Sequence, residues 1–296
     1  QNLYTSQGVE EVLANVPVKV TDQMNSILLE PYTKEEVKKA LFQMGPTKAP
    51  GPDGFPAHFF QKHWDICGHA VTNAELAIVK GEESPAAVND TLLVLIPKVP
   101  NPTLLSQFRP ISLCNVFYKI ASKVLANRPK VILPEIISDE QSAFVPGTLI
   151  TDNIISAYGC LHFMKMKISK NNIYVALKLD MMKAYDRVEW SYLKALMLKL
   201  GISPCFTETI MRCVTSVSFS VMFNGGKLDE FKPTRGIRQG DPISHYLFLI
   251  YVEAFSSLLN HPESNGTMEG VRICGGAPSF NHLLFPDDSL ILLKVT

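Results

Sequence analysis

The sequence predicts an α+β fold, an antiparallel sheet with helices packed on one face, preceded by a mainly helical region. Three observations predict it. Residues 282–293 read as two short apolar strands meeting at a turn that carries Asp287 and Asp288. Ser218-Phe-Ser-Val-Met-Phe223 and residues 227–231 flank Asn224-Gly-Gly226, a strong hairpin signal. Between them the apolar residues recur at helical spacing, so that strand, helix, hairpin, helix and hairpin follow one another.

The elements follow in order. Residues 1–30 read as a polar lead-in with short apolar patches and no chemistry. Thr33-Lys-Glu-Glu36 is a capping box, and Val37, Leu41 and Met44 share one face of the helix it opens. Residues 45–56 are dense in Gly and Pro and form a loop. A helix is expected over 57–79, a strand over 91–96, and helices over 114–127 and 152–166. A strand over 173–180 leads to a helix near 183–200, whose apolar face is Leu193, Leu196, Met197 and Leu200 and which Gly201 stops. Helices over 204–214 and 243–259 complete the set.

Composition bounds the class. Hydrophobic residues make up 46% and charged residues 19% of 296, ample for a packed core. No run approaches the ~20 apolar residues of a membrane span, and the N-terminus has no signal-peptide pattern. Six cysteines without C-x-x-C pairing indicate neither a zinc module nor a disulfide framework, and read as reduced, buried thiols of an intracellular protein. Net charge is formally zero, so the chain alone is expected to hold nucleic acid weakly. Its cations are nevertheless clustered, at Lys119, Lys123, Arg128 and Lys130, at Lys165, Lys167 and Lys170, and at Arg235 and Arg238. The first two clusters are equally consistent with solvated helix faces.

Adjacent carboxylates repel each other, a cost that a divalent cation removes; taken alone, the pair also fits a plain surface turn. Asp180 adds weight, because it closes the apolar stretch Ile173-Tyr-Val-Ala-Leu-Lys-Leu-Asp180. Three carboxylates from neighbouring strands can hold a pair of Mg²⁺ ions, and two metals about 3.5–4 Å apart stabilise both the attacking and the leaving oxygen of phosphoryl transfer. The residues point to a two-metal site, in a polymerase or a nuclease.

Neighbouring motifs narrow the choice. Asp180-Met-Met-Lys-Ala-Tyr-Asp-Arg-Val-Glu-Trp190, Arg235-Gly-Ile-Arg-Gln-Gly-Asp-Pro-Ile-Ser-His-Tyr-Leu-Phe248 and Phe285-Pro-Asp-Asp288 stand in the order of polymerase motifs A, B and C. Upstream lie Lys48-Ala-Pro-Gly-Pro-Asp-Gly-Phe-Pro56, Leu95-Ile-Pro-Lys98 and Phe108-Arg-Pro-Ile-Ser-Leu-Cys-Asn115. Together they resemble the reverse transcriptase of non-LTR (LINE-type) retrotransposons, particularly the plant type, over nearly the whole of residues 31–294.

The resemblance implies a right-hand polymerase, with fingers over 31–170 and palm over 171–296. The chain ends soon after motif C, so the thumb is expected to be missing, as is the endonuclease expected before Gln1. It implies RNA-directed DNA polymerase activity: a primer 3′-hydroxyl attacks the α-phosphorus of a dNTP. Asp180, Asp287 and Asp288 would be the catalytic residues, ligands of two Mg²⁺ ions, with Mn²⁺ as a substitute. Lys98 and Arg109 match the residues that grip the triphosphate, or are ordinary surface cations. Tyr185 matches the aromatic gate that excludes a 2′-hydroxyl, or is a core aromatic at a helix start. Gln239 and Gly240 match the motif that contacts nucleotide and template base, and Asp186 and Arg238 are second-tier members of the site. Implied partners are an RNA template, a DNA primer and dNTPs, with no membrane; a nuclear location follows from the resemblance, without a targeting signal in the chain. The sequence carries no signal for an oligomeric state.

Three departures from the family pattern stand out. Pro286 replaces the usual alanine before the aspartates, fixing φ near −65° where a primed turn needs a positive value. His245 replaces proline, and Pro129 replaces a leucine that would continue a helix. They leave a second reading open, a catalytically dead remnant that at most binds nucleic acid.

Overall fold

The computed structural model describes residues 6–167, 173–285 and 288–295. Five helices come first: α1 (Ser6–Ala14), α2 (Asp22–Leu29), α3 (Lys34–Phe42), α4 (Ala57–Lys62) and α5 (Trp64–Lys80). The lead-in proves to be part of the core. Val20, Met24 and Leu28, spaced four apart, are all buried, and the Thr21 hydroxyl caps α2 by accepting from Met24 N. The capping box of α3 forms in full, Thr33 Oγ1 accepting from Glu36 N at 3.2 Å and Glu36 Oε2 from Thr33 N at 2.9 Å. Met44 falls beyond the end of α3 and is only half-buried. The single helix expected over 57–79 is broken at His63 into α4 and α5.

Strands β1 (Asp90–Pro97) and β2 (Phe108–Cys114) pair antiparallel, with Leu95 opposite Pro110. Proline cannot donate to a ladder, so β2 occupies the sheet edge. Helices α6 (Val116–Asn127), α7 (Pro129–Ile136) and α8 (Ile150–Lys167) follow. Pro129 opens α7 at its first turn, where no backbone N–H is needed. Arg128, at the joint, is buried: it pairs with Glu36, donates to the carbonyls of Leu28 and Glu30, and lies 3.6 Å over the Tyr32 ring. This residue therefore leaves the basic surface cluster in which its sequence neighbours placed it.

Then come β3 (Ile173–Asp180), α9 (Trp190–Lys199), α10 (Pro204–Thr215), β4 (Ser218–Phe223), β5 (Gly226–Lys227), α11 (Ser244–Ser264), β6 (Val271–Arg272), β7 (Ser279–Phe280), β8 (His282–Leu284) and β9 (Asp288–Val295). The predicted face of α9 is fully buried, and Gly201, at φ +93°, ends it. Asn224 and Gly225 take positive φ, and Phe223 pairs with Gly226, so the hairpin turn is Asn224-Gly225.

The strands form two sheets and a small β6–β7 ribbon. One sheet has the order β3-β9-β8 and is antiparallel throughout. The Asn224-Gly225 hairpin belongs instead to the other, β2-β1-β4-β5, in which β1 and β4 run parallel. That sheet joins strands from either side of residue 170, and one apolar core extends from Val16 to Leu284. Helices cover both faces of β8 and β9 rather than one, while β3 stays largely exposed. Leu283 and Leu292 pack with Cys160 and Met164 of α8, while His282 points the other way to Ser256 of α11, Nε2 to Oγ 2.5 Å. Burial on both faces explains the unbroken apolar runs of β8 and β9. Cys114, Cys160 and Cys213 are buried free thiols as expected, but Cys205 and Cys274 are exposed.

One core position is ill-suited. Glu75 of α5 is fully buried, and neither carboxylate oxygen has a hydrogen-bond partner. The Ala121 backbone is near enough to favour the charge slightly, but burial dominates and holds the pKa well above the carboxylate range. A raised folded-state pKa contributes stability that is complete below the unfolded value and is lost as pH rises toward the folded one. Denaturant titration should therefore show the native chain losing stability relative to Glu75→Gln as pH rises above about 4.5, by up to about 1.4 kcal/mol per pH unit. Glu75→Leu should be more stable than native at neutral pH by about 1–3 kcal/mol. A pH-independent difference would contradict the burial of an unpaired carboxyl.

Candidate active site

Eight residue pairs fix β3 against β9, from Ile173 opposite Val295 to Asp180 opposite Asp288. Directly opposed residues share a face with Cα atoms about 4.5–5.5 Å apart, so the register sets two carboxylates side by side at one end of the sheet. Phe285 N donates to Asp288 O at 2.8 Å, closing the β8–β9 hairpin with only residues 286 and 287 between them. Asp287, the third expected ligand, and Pro286 lie outside the described residues. Lys178, two residues before Asp180 and on the same face, reaches Asp288 Oδ2 at 3.0 Å. Both side chains are substantially exposed, and such a pair contributes only about 0–1 kcal/mol.

Hard carboxylate oxygens at a strand end, already attracting one cation held weakly, fit a divalent metal. Among the described residues no three His, Cys, Asp or Glu side chains gather into a metal cluster. Asp180 and Asp288 are the two ligand candidates within them.

Past Asp180 the chain turns through Lys183, at φ +55°, into a short 3₁₀ turn, Tyr185–Arg187. The Tyr185 ring stacks on Phe248 of α11, centroids 4.9 Å apart and 16° between planes. The motif B loop is stitched to this turn: Ile237 N donates to Tyr185 O (2.9 Å), Gly236 N to Val188 O (2.8 Å) and Trp190 Nε1 to Gly236 O (2.7 Å). Arg235 pairs with Glu189 at 3.0 Å. A Cβ at Gly236 would stand 3.1 Å from Asp186 O, so the two loops touch backbone to backbone. Gly240, at φ +103°, makes the bend that exposes Gln239.

The consequence is a cavity of about 510 Å³, with Tyr185, Gln239 and Gly240 on one side. Lys48, Lys119 and Lys123 line it too, as do Phe144 and His245, whose rings lie 5.3 Å apart. Partial burial, with Lys130 and Lys48 nearby, lowers the Lys123 pKa. Burial, then Lys123, pushes His245 down to about 4, so the imidazole is neutral at physiological pH. The cavity is thus a cationic pocket with one aromatic wall, of the size that holds a small ligand.

Other expected residues are placed differently. Arg238 is buried, donating to Asn89 Oδ1 (2.5 Å), Thr91 Oγ1 (3.0 Å) and Asp241 Oδ2 (2.6 Å), over the Tyr118 ring. It anchors the loop that carries Gln239 and does not line the large cavity. Asp186 is exposed and faces a smaller cavity of about 290 Å³ across that loop. Lys98 and Arg109 stand exposed at the far end of the β1–β2 hairpin, Lys98 Nζ donating to Ser106 O, and neither lines the large cavity. Sequence reasoning missed Lys48, Lys119, Lys123 and Asp241 as members of the site. Lys48 and Asp241 stood inside quoted motifs, and Lys119 and Lys123 are one helical turn apart.

A family model described as reverse transcriptase (RNA-dependent DNA polymerase) matches residues 96–295. The chain belongs to that family. It is 32% identical over 265 residues, 88% of its length, to the transposon TX1 uncharacterized 149 kDa protein of Xenopus laevis. It is 28% identical over 267 residues, 90% of its length, to the Pol polyprotein of the type-1 retrotransposable element R2 of Nasonia vitripennis. The R2 Pol polyprotein of Popillia japonica is 25% identical over 274 residues, 88% of the chain. The chain spans 20%, 24% and 35% of these relatives. The reverse transcriptase is thus of the non-LTR retrotransposon kind, with motifs A and B forming the cavity wall and motifs A and C the carboxylate edge. None of its described helices is long and apolar enough to cross a membrane.

Asp241 holds the buried guanidinium of Arg238, and Ser122 Oγ and Ile243 N donate to the same carboxylate. Asp241→Ala should cost the reverse transcriptase about 3–5 kcal/mol in chemical denaturation, because it strands a buried charge. Adding Arg238→Met should recover a large part of that loss. A double variant no more stable than the single one would show that the pair does not act as a unit.

Proposed function

We propose that this chain performs nucleotidyl transfer from a dNTP to a primer 3′-hydroxyl on an RNA template, with two Mg²⁺ ions bound by Asp180, Asp287 and Asp288. The observation that carries the proposal is the β3–β9 register, which sets Asp180 against Asp288 five residues before the cavity-lining Tyr185. Five residues span at most about 17 Å, so carboxylates and cavity belong to one site. When bound, divalent metal lowers the pKa of the attacking hydroxyl and neutralises charge on the leaving pyrophosphate.

The chain's own residues do the rest. Tyr185, held flat against Phe248, sets the wall against which a sugar would lie, where a 2′-hydroxyl meets the ring. Gln239 presents an amide that donates and accepts toward the base pair, and Gly240 lets the strand approach its backbone. The lysines of the cavity supply positive charge to phosphates. Lys98 and Arg109 would reach the triphosphate by closure of the β1–β2 hairpin over the cavity. Asp186 and Arg238 support the site, the first beside the motif A turn and the second beneath the motif B loop. The fingers and palm divide near residue 170 by motif, and the motifs favour the plant type of element. An intracellular, nuclear location accords with copying into genomic DNA.

A catalytically dead remnant is favoured by Pro286 beside the expected ligands, which lies outside the described residues, and by Glu75, a lesion of stability rather than of chemistry. Primer extension on an RNA template with Mg²⁺, by the chain alone and fused to a related thumb, separates the readings. Asp180→Asn should lower extension by at least about 100-fold. Tyr185→Ala should raise rNTP use relative to dNTP use. No extension by the fused form would support the remnant, and an unchanged sugar preference would return Tyr185 to core packing.

A further inference from the structure

One side chain of α8 reaches the strand that leads into the carboxylate turn. Asn153 is 5% exposed, although Ile154 and Ile155 beside it are 53% and 69% exposed. The buried stripe of α8 is Asn153, Cys160 and Met164, so the first turn of the helix offers the sheet an amide and no buried apolar residue. Asparagine is a poorer helix former than leucine, and burying its amide requires partners. The partners are backbone carbonyls. Asn153 Nδ2 donates to Leu284 O at 2.9 Å and to Glu140 O at 2.8 Å, and Leu284 N donates to the same Glu140 O at 2.9 Å. Gln141 forms a parallel bridge with Leu284, so the amide knits β8 to the segment 138–141 along the edge of the sheet. That segment is itself fixed. Ser138 N donates to Glu253 Oε2 of α11 at 2.9 Å, and Gln141 N donates to Ser138 O at 3.0 Å.

We propose that Asn153 is a positioning residue for Asp288. The connection between them is a single peptide plane. The Leu284–Phe285 peptide accepts from Asn153 through its carbonyl and donates through its N–H to Asp288 O at 2.8 Å. The atoms of a peptide unit are coplanar, so turning the carbonyl turns the N–H with it. Without the amide, Leu284 O turns toward other donors, and the hydrogen bond that holds the first residue of β9 turns with it. The proposal rests on the reading of Asp288 as a cation ligand. Groups that orient a ligand without touching the metal govern affinity in such sites. Asn281 supplies the contrast. It is 1% exposed and stands just before the other end of β8, where it donates to Leu259 O (3.1 Å) and Asn260 Oδ1 (2.9 Å). It anchors the same strand, remote from the turn.

The test is calorimetric titration of the 296-residue chain with Mn²⁺, with thermal melts of every variant alongside. Asn153→Leu keeps the volume and removes the donors, and Asn153→Ala removes them without adding bulk. Each should weaken Mn²⁺ binding by about tenfold. Asn281→Ala should lower the melting temperature and leave Mn²⁺ binding unchanged, a separation that a merely structural role of β8 would not produce. In a chain that already carries Asp288→Asn, Asn153→Leu should cause no further loss, because it acts through that ligand. If Asp288→Asn weakens binding and neither Asn153 variant does, the positioning role is refuted and the cation-site reading stands. An equal loss on Asn281→Ala, or an undiminished loss in the Asp288→Asn chain, refutes it likewise. If Asp288→Asn also leaves binding unchanged, the cation-site reading fails and the proposal with it.

Discussion

The register of β3 against β9 is the constraint on which the rest depends. Side chains alternate along a strand, so a slip of one residue would send Asp180 to the far face from Asp288. Packing fixes β9 and β8, and the largely exposed β3 is held to β9 by the backbone ladder. Leu283 and Leu292 lock one face against α8, and His282 locks the other to Ser256 of α11. Two repelling carboxylates are thereby held together by the pairing of a packed strand, β9, with an exposed one, β3. Lys178 relieves the repulsion, and at such exposure it is weakly held enough to yield to a divalent ion.

A second device positions the cavity side of the site. Motif B could not hold Gln239 beside Tyr185 by loop propensity alone. Backbone hydrogen bonds to the motif A turn fix one end, and the buried Arg238–Asp241 pair fixes the middle. A buried ion pair is a poor source of net stability, since desolvation offsets most of its attraction. Its value here is placement. Arg238 spans β1, through Thr91, and the segment before it, through Asn89, so the loop is registered against the β2-β1-β4-β5 sheet.

What could be read from the sequence was local or periodic. The capping box at Thr33, the bounds of β3, the stop at Gly201 and the Asn224-Gly225 turn each follow from a few adjacent residues. Residues 20–28 were legible by the same spacing, yet their polar setting disguised α2 as a lead-in. Strand β2 was hidden by Pro110, which only an edge position tolerates. The parallel β1–β4 pairing joins Asp90 to Ser218, and no local pattern encodes so distant a contact. Within the site, Asp180, Asp288, Tyr185, Gln239 and Gly240 were readable because motifs name them. The burial of Arg238 against Asp241 was not readable, because a sequence does not say whether an arginine meets a ligand or a buried aspartate. Lys48, Lys119 and Lys123 converge only once the loop at 48–56 is folded against α6.

The central claim is that Asp180 and Asp288 form one cation site. Titration of the chain with Mn²⁺, followed by electron paramagnetic resonance, tests it without requiring turnover. Saturable binding should be weakened at least about tenfold by Asp180→Asn and likewise by Asp288→Asn, with little further loss when the two are combined, as expected of ligands that share an ion. Binding that survives both substitutions, or losses that multiply independently, would contradict the account.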